Sequence, residues 1–210
     1  MIALDPFYPI VDSADWVRRL VAAGAKLIQL RIKERSAGDV RSEVRQALAI
    51  CARHSAQLIV NDFWEIALEE GADFIHLGQQ DLDGADLKTI RAKAVKLGVS
   101  THDHAELERA LGVDPDYVAL GPIYPTILKT MPWTPQGLGR LGEWKRLVGK
   151  MPLVAIGGVT LERAPLCLRA GADCVAVVSD IVGASDPAAR ARDWIASVGA
   201  QQELSRIAAR

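Results

Sequence analysis

The feature that most constrains the fold of this chain is a series of short apolar runs separated by longer segments of mixed polarity. The runs are rich in valine, isoleucine and leucine, which is typical of strands buried on both faces. The intervening segments, such as residues 39–54, are long enough for a helix that crosses between parallel strands. The eight runs are Tyr8–Val11, Leu27–Leu30, Leu58–Val60, Phe74–Leu77, Leu97–Ser100, Tyr117–Leu120, Leu153–Ile156 and Cys174–Val178. Eight strand and helix units in succession predict an α/β fold, a (β/α)8 TIM barrel.

A weak repeat supports this organisation, because a glycine between two small or polar residues precedes several of the runs. It occurs as Ala23-Gly24-Ala25, Glu70-Gly71-Ala72 and Ala170-Gly171-Ala172. Glycine just past a helix end allows the left-handed turn that returns the chain to a strand. The repeat therefore predicts three helix ends.

Length and charge limit what the chain can be. With 210 residues it is long enough for one barrel, and we expect a single domain over residues 1–210. Lysine and arginine total 25 against 26 aspartate and glutamate, a formal net charge of -1, so no overall field attracts nucleic acid or an anionic membrane. The sequence has no basic leader and no apolar run of about 18 residues, which predicts a cytoplasmic protein. Its three cysteines lack paired spacing and are expected to be buried free thiols.

Polar residues follow nearly every predicted strand, and this distribution separates a barrel from the alternative, a doubly wound open sheet. An open sheet concentrates its functional groups at one switch point, whereas a barrel gathers them around one mouth from many strands. The polar groups are spread over seven strand ends, so the barrel is favoured.

Gln29, Arg31 and Lys33 alternate with Leu30 and Ile32 at the end of the second predicted strand. An extended backbone points alternate side chains to one side, so the three polar groups should enter the barrel mouth together. Arginine and lysine there suit an anion rich in oxygen. The alternative is a solvated strand end before a charged helix.

Asn61, Asp62 and Asp81 provide oxygen atoms at the ends of the third and fourth predicted strands. Mg²⁺ typically takes one or two carboxylates together with phosphate oxygens and water, so these residues suggest a magnesium diphosphate site. Each aspartate could instead serve as a cap, Asp62 of a helix that begins near Phe63 and Asp81 of a turn.

Residues 121–137 contain four prolines and follow the sixth predicted strand. The segment is too rich in proline for a helix interior and too long for a minimal connection, which predicts a lid or binding loop. Lys129 could reach a phosphate, Thr126 could donate its hydroxyl, and Tyr124 and Trp133 could exclude water. A purely structural loop is the alternative.

Gly157, Gly158 and Ser179 end the last two predicted strands, where barrels commonly bind phosphate through backbone N–H groups. A tight strand-to-helix turn would also use two glycines. His102 and His104 could be metal ligands or a base, but we interpret them as residues that begin the next helix. His76 lies in an apolar strand and is explained by packing.

In order along the chain, these motifs resemble the thiamine-phosphate synthase family between about Tyr8 and Ile181. The resemblance is carried by Gln29-Leu30-Arg31-Ile32-Lys33, Asn61-Asp62, residues 76–81, residues 98–102, residues 121–129, Ile156-Gly157-Gly158 and Val177-Val178-Ser179. It is closest to the proteobacterial form, matched by Met131-Pro132 and Pro135-Gln136-Gly137.

The resemblance implies roles for particular residues. An aminopyrimidine diphosphate would be bound by Gln29, Arg31, Lys33, Asn61, Ser100 and Lys129. Mg²⁺ on its diphosphate would be held by Asp62 and Asp81. A thiazole phosphate would lie near Thr126, Leu128, Gly158, Val178 and Ser179. The chain departs from the family at Leu128, because the family's loop often reads Pro-Thr-x-Thr-Lys and has a second threonine there.

The implied reaction joins the thiazole nitrogen to the exocyclic methylene of the pyrimidine and releases pyrophosphate. Arg31, Lys33 and Lys129 would stabilise the leaving group, and no organic cofactor would be needed. The implied partners are these small molecules, with a homo-oligomer possible. Two alternatives are a thiazole tautomerase, in which His102 would be a candidate base, and a non-catalytic sensor of thiamine precursors.

Overall fold

A computed structural model describes residues 2–126 and 133–208 of the chain. Eight parallel strands form a closed barrel in which each strand pairs with its neighbours in sequence and β8 pairs with β1. The strands are β1 (Phe7–Val11), β2 (Leu27–Leu30), β3 (Gln57–Asn61), β4 (Phe74–Leu77), β5 (Lys96–Thr101), β6 (Tyr117–Leu120), β7 (Leu153–Ala155) and β8 (Cys174–Val177). The predicted (β/α)8 barrel is confirmed.

Helices alternate with the strands and cover the outside of the barrel. They are α1 (Ala14–Ala22), α2 (Ala37–Arg53), α3 (Trp64–Glu69), α4 (Gln79–Gly84), α5 (Leu87–Ala92), α6 (His104–Gly112), α7 (Gly137–Val148), α8 (Ala164–Arg169), α9 (Ser179–Val182) and α10 (Pro187–Ala208). Among the described residues, no helix is both long and apolar enough to cross a membrane.

The strand predictions differ from the structure only at their ends. Asn61 belongs to β3 rather than following it, while Ile156 and Val178 lie just beyond β7 and β8. The backbone N–H of Ile156 still donates to the carbonyl of Leu120 at 3.1 Å, so the pairing of β7 with β6 continues one residue beyond the strand. These shifts leave the polar residues at the mouth.

The three repeated glycines end helices α1, α3 and α8, as predicted. Their φ angles are 108° at Gly24, 78° at Gly71 and 114° at Gly171. At the first of them the N–H of Ala25 donates to the carbonyl of Leu20 at 3.0 Å, which satisfies a helix-end carbonyl. The same bond recurs after the other two glycines, so one local motif returns the chain to β2, β4 and β8.

Side chains alternate between the inside of the barrel and the helices around it. The inner set includes Tyr8, Ile59, Phe74, Tyr117 and Val154, all at most 2% exposed. Tyr117 fits because it faces Gly98, where an added Cβ would lie 2.1 Å from the tyrosine ring. The interior is therefore a packed core whose upper layer forms the floor of the mouth.

Candidate active site

The polar residues at the end of β2 lie at the barrel mouth, but at different depths. Arg31 and Lys33 are exposed, whereas Gln29 is only 3% exposed. Gln29 lies inside β2, so its side chain, although on the predicted face, points into the barrel and forms part of the floor. The expectation that all three enter the mouth together is thus corrected for Gln29, which is one layer deeper.

Two carboxylates meet at the ends of β3 and β4. Burial raises the pKa of Asp81, and the nearby negative charge of Asp62 raises it further. Lys33 forms an ion pair with Asp62. An acidic pair in contact with one cation, Lys33, is therefore present at the mouth.

Asp62 does not cap the helix that follows it. The N-cap of α3 is Phe63 without a side-chain bond, and the carboxylate of Asp62 bonds to Lys33 instead. Asp62 has a φ of 67°, in the left-handed region, and its carbonyl accepts from Trp64 N at 2.6 Å. Asp81 lies within α4 rather than at a turn before it. The capping alternative is wrong for Asp62, whereas Asp81 lies in the first turn of α4, where its carboxylate also accepts a hydrogen bond from a backbone N–H.

The donor set is compatible with Mg²⁺. In the described part of the chain, no cluster of three or more histidine, cysteine, aspartate or glutamate side chains could hold a metal. Two carboxylates are nevertheless the usual protein share of a magnesium site that substrate phosphates and waters complete. Asp62 and Asp81 thus suit a metal that arrives with a diphosphate.

Buried polar side chains form a connected row across the floor of the mouth. Nε2 of Gln29 donates to the hydroxyl of Tyr8 at 2.8 Å, and the hydroxyls of Tyr8 and Tyr117 are 3.0 Å apart. The Tyr117 hydroxyl lies 2.7 Å from Nδ1 of His76, whose Nε2 is 2.8 Å from Oγ of Ser100. Gln29 and Ser100, both expected to bind the pyrimidine, are therefore its two ends.

Burial controls the charge of this row. Burial lowers the pKa of His76 to about 4. The negative charge of Asp62 raises this pKa, and the positive charge of Arg31 lowers it. Burial also raises the pKa of both tyrosines above the ordinary value. All members of the row are neutral near pH 7.

Asn61 lies near the acidic pair, on the inner side of β3. It is 5% exposed, and its side-chain amide forms no hydrogen bond with the residues that the structure describes. Its amide atoms are not among the fully buried side-chain atoms without a partner, so the group still reaches the mouth and can bind a ligand there.

The loops after β6 and β7 are joined at their base. The N–H of Ile123 donates to Ile156 O at 2.8 Å, and that of Tyr124 to Gly157 O at 3.0 Å. Gly158 has a φ of 63°, and an added Cβ would lie 2.4 Å from the carbonyl oxygen of Pro125. The glycine pair is thus required by close backbone approach.

Arg163 reinforces the joint between these two loops. It donates to Gly158 O at 2.6 Å, and its guanidinium lies 4.5 Å from the centre of the Tyr124 ring. Thr126 follows on the same loop, half-buried. Val178 and Ser179 come after β8, which pairs with β7, so they lie at the neighbouring position around the mouth.

Trp133, at the far end of the loop after β6, stacks on His102 with ring centres 3.9 Å apart and planes 13° from parallel. Nδ1 of His102 is 2.7 Å from a carboxylate oxygen of Glu106. Asp103 caps α6, which begins at His104, as the sequence indicates. Leu128 and Lys129, assigned above to substrate binding, lie outside the described residues.

The hydrogen-bonded row was not predicted from the sequence. There His76 is explained by packing alone, and neither Tyr8 nor Tyr117 stands out. The available signal was that Tyr8, Gln29, His76 and Tyr117 all occupy inward positions of otherwise apolar strands, where a polar group needs a buried partner.

Residues 7–181 match the model of the family described as thiamine monophosphate synthase. The chain belongs to that family. It is 62% identical over 194 residues to the thiamine-phosphate synthase of Rhizobium etli, covering 92% of this chain and 95% of the relative. It is 47% identical over 201 residues to that of Cronobacter sakazakii, covering 96% and 91%.

The chain is also similar to solved structures, one of which has a name that matches this family. The thiamine phosphate pyrophosphorylase of Pyrococcus furiosus superposes with a TM-score of 0.84 at 26% identity, covering 94% of this chain and 96% of that one. A 3-hexulose-6-phosphate synthase, 18% identical with a TM-score of 0.66, shares the fold alone. The chain is an enzyme of the transferase class that acts on small molecules, and neither the tautomerase nor the sensor alternative is supported.

Proposed function

We propose that this enzyme condenses 4-amino-2-methyl-5-(diphosphooxymethyl)pyrimidine with 4-methyl-5-(2-phosphooxyethyl)thiazole, or its carboxylated form, to give thiamine phosphate and pyrophosphate. The observation that carries the site assignment is the meeting of Asp62 and Asp81 at two strand ends, with Lys33 paired to Asp62. Family membership supplies the reaction class.

The diphosphate of the pyrimidine substrate would be bound on this side of the mouth. Arg31 offers a planar fork of donors and Lys33 a point charge, and both are exposed to a ligand. Asp62 and Asp81 would hold Mg²⁺, which, when bound, supplies further positive charge against the diphosphate. Lys33 would then exchange part of its contact with Asp62 for a phosphate oxygen.

The aminopyrimidine ring would lie on the floor. Gln29, Asn61 and Ser100 provide amide and hydroxyl groups there, and hydrogen bonds to the buried row hold Gln29 and Ser100 in place. The thiazole phosphate would lie across the mouth, near Thr126, Gly158, Val178 and Ser179. The joint between the loops fixes Gly158 in place, and its left-handed backbone lets the loop of Thr126 approach closely.

In the reaction, the bond from the methylene carbon to the diphosphate oxygen breaks, and pyrophosphate leaves with the electron pair. A bond forms between that carbon and the thiazole nitrogen, which has no proton to lose. The aminopyrimidine ring can stabilise positive charge on the carbon, so the protein needs cations at the leaving group rather than a base. Arg31 and Lys33 provide them, and Lys129 is proposed as a third.

Two substitutions separate the halves of the site. Lys33→Gln should raise KM for the pyrimidine diphosphate roughly 10-fold or more, because a hydrogen bond to a charged group is worth about 1.5–3 kcal/mol. Thr126→Val should raise KM for the thiazole phosphate by a similar factor. Each should leave the other constant nearly unchanged, and the reverse pattern would show that the two substrates have been placed the wrong way round.

Leu128→Thr tests the departure from the family pattern. If Thr126 and the backbone near Gly158 and Ser179 suffice for phosphate, restoring the hydroxyl should leave both Michaelis constants nearly unchanged. A fall of roughly 10-fold in KM for thiazole phosphate would instead show that this enzyme binds its phosphate with one contact fewer than its relatives.

A further inference from the structure

The row of hydrogen bonds beneath the site has a direction that can be deduced from its end. The contact of Gln29 with Tyr8 is made by the amide nitrogen, which can only donate. The single proton of the Tyr8 hydroxyl is then directed to the oxygen of Tyr117, and that of Tyr117 to Nδ1 of His76. A neutral ring that accepts at Nδ1 carries its proton on Nε2, which therefore donates to the oxygen of Ser100.

The direction of the row determines which groups its two ends offer to a ligand. Ser100 accepts from His76, so its own hydroxyl proton is free to be donated at the mouth. The side-chain nitrogen of Gln29 donates to Tyr8 beneath the mouth, and its side-chain oxygen forms no hydrogen bond among the described residues. Turning the Gln29 amide over would reverse all four bonds, and Ser100 would then present only acceptor lone pairs.

We propose that Tyr8, Tyr117 and His76 are positioning residues that transmit the orientation of the Gln29 amide to Ser100, so that the site presents a carbonyl oxygen at one end and a hydroxyl proton at the other. The direction of the row stands independently of the substrate; its use in recognising the aminopyrimidine rests on the proposed function. An aminopyrimidine offers an N–H donor beside ring-nitrogen acceptors, which matches one acceptor and one donor from the protein.

Burial stabilises one direction of the hydrogen bonds along the row. Tyr8 is 1% exposed, Tyr117 0% and His76 6%, so water has little access to replace a partner or reverse one bond alone. The row also joins β2, β1, β6, β4 and β5, and so links groups on opposite sides of the barrel. A wrong orientation would leave buried donors facing donors, which is costly.

The histidine tautomer reports the direction without any substrate. Long-range ¹H–¹⁵N spectra of the ligand-free protein distinguish a proton on Nε2 from one on Nδ1, and His76→Asn assigns the signal among the four histidines. We expect the Nε2–H tautomer in the wild type. A proton on Nδ1 would overturn the proposal, because it would show that the row runs the other way.

Gln29→Glu tests whether residue 29 sets the direction. A protonated carboxyl can donate to Tyr8 as the amide does, whereas an ionised one only accepts. As pH is raised and the carboxyl ¹³C shift reports ionisation, the His76 proton should move from Nε2 to Nδ1. Ionisation without this movement would overturn the proposal. Gln46→Glu, on the exposed face of α2, is the matched control and should leave the tautomer unchanged.

Kinetics test the connection to the substrate. Gln29→Glu, once ionised, should raise KM for the pyrimidine diphosphate roughly 10-fold or more. Adding Tyr8→Phe disconnects the carboxylate from the rest of the row, so the tautomer should return to Nε2–H and KM should fall below that of the single variant. A purely structural role predicts the opposite, since the second substitution would only add damage.

The outcomes separate this proposal from the proposed function. If the His76 tautomers are as predicted but the protein makes no thiamine phosphate, the direction of the row is correct and its role in binding the aminopyrimidine is wrong. If the protein makes thiamine phosphate normally but His76 carries its proton on Nδ1, the proposed function is correct and the proposed direction of the row is wrong.

Discussion

Asp81 combines two opposing requirements at the scale of one residue. Its pKa is raised by burial and by the negative charge of Asp62, so its ionisation destabilises the folded, metal-free protein as pH rises through that pKa. Metal binding needs the ionised form. The affinity for Mg²⁺ should therefore increase with pH over the same interval, while the stability of the metal-free protein decreases.

Asp81→Asn should separate the two effects. Removing the charge relieves repulsion with Asp62, so the metal-free variant should melt slightly above wild type, by no more than about 2–4 °C, the shift that ~1 kcal/mol gives in a chain of this size. The Mg²⁺ concentration for half-maximal activity should rise at least 10–100-fold. Calorimetry and metal titrations measure both.

Asp83→Asn is the matched control for this substitution. Asp83 lies on the same short helix and pairs with Arg109 at its exposed surface, so its loss should leave the Mg²⁺ requirement unchanged. Wild-type metal dependence in Asp81→Asn would remove Asp81 from the metal site.

Much of the residue-scale picture could be predicted from sequence. Alternation along β2 placed Gln29 and Arg31 on one face, and the order of motifs brought Asp62 and Asp81 to adjacent strand ends. The partners of Gln29 could not be predicted, because Tyr8 and Tyr117 reach it from strands remote in sequence and only barrel closure brings their hydroxyls together. The left-handed backbone of Asp62 has no local sequence signature either.

At the scale of elements, the glycine repeat predicted helix ends well because a Schellman-type turn is a local structure. The Gly157-Gly158 pair was harder to interpret, since a tight turn and a phosphate site both use glycine. The structure shows the reason for glycine at Gly158: the backbone of residues 124–125 occupies the space of a Cβ.

Gly158→Ala should therefore disturb the joint between the loops after β6 and β7. The new methyl would meet Pro125 O at 2.4 Å in a backbone already at a φ of 63°, which must displace the loop that carries Thr126. We expect KM for thiazole phosphate to rise roughly 10-fold or more, with a smaller effect on the pyrimidine constant. Steady-state kinetics with each substrate varied in turn provide the measurement.

Gly139→Ala provides the comparison for this variant. Gly139 lies in α7, where an added Cβ meets nothing within 4 Å, and alanine there should stabilise the helix by about 0.5–1 kcal/mol. Equal kinetics for Gly158→Ala and Gly139→Ala would contradict the assignment of the glycine turn to the thiazole side.

At the scale of the whole molecule, closure of the barrel makes the core a single unit in which the three cysteines are buried. Burial raises the pKa of Cys51 and Cys167 to about 11, and that of Cys174 well above the ordinary value. The thiols are therefore protonated near pH 7 and shielded from reagents.

A thiol reagent should consequently report opening of the fold. In native buffer all three cysteines should react slowly, and in denaturant all three should react rapidly, because each requires the surrounding core to open. Rapid modification of one cysteine in the folded protein would show that its part of the barrel opens independently.

Sequence periodicity predicted the eight strands, and the spread of polar residues over many strand ends predicted their closure, which the pairing of β1 with β8 completes. The single domain over residues 1–210, a homo-oligomer and a cytoplasmic location stay predictions.

Formation of the product tests the central claim most directly. The purified protein is incubated with the aminopyrimidine diphosphate, the thiazole phosphate and Mg²⁺, and thiamine phosphate and pyrophosphate are quantified together. We expect both products to appear in equal amounts, and only when both substrates and the metal are present. Absence of thiamine phosphate from folded protein under these conditions, or its formation at an unchanged rate after Mg²⁺ is removed with a chelator, would contradict it.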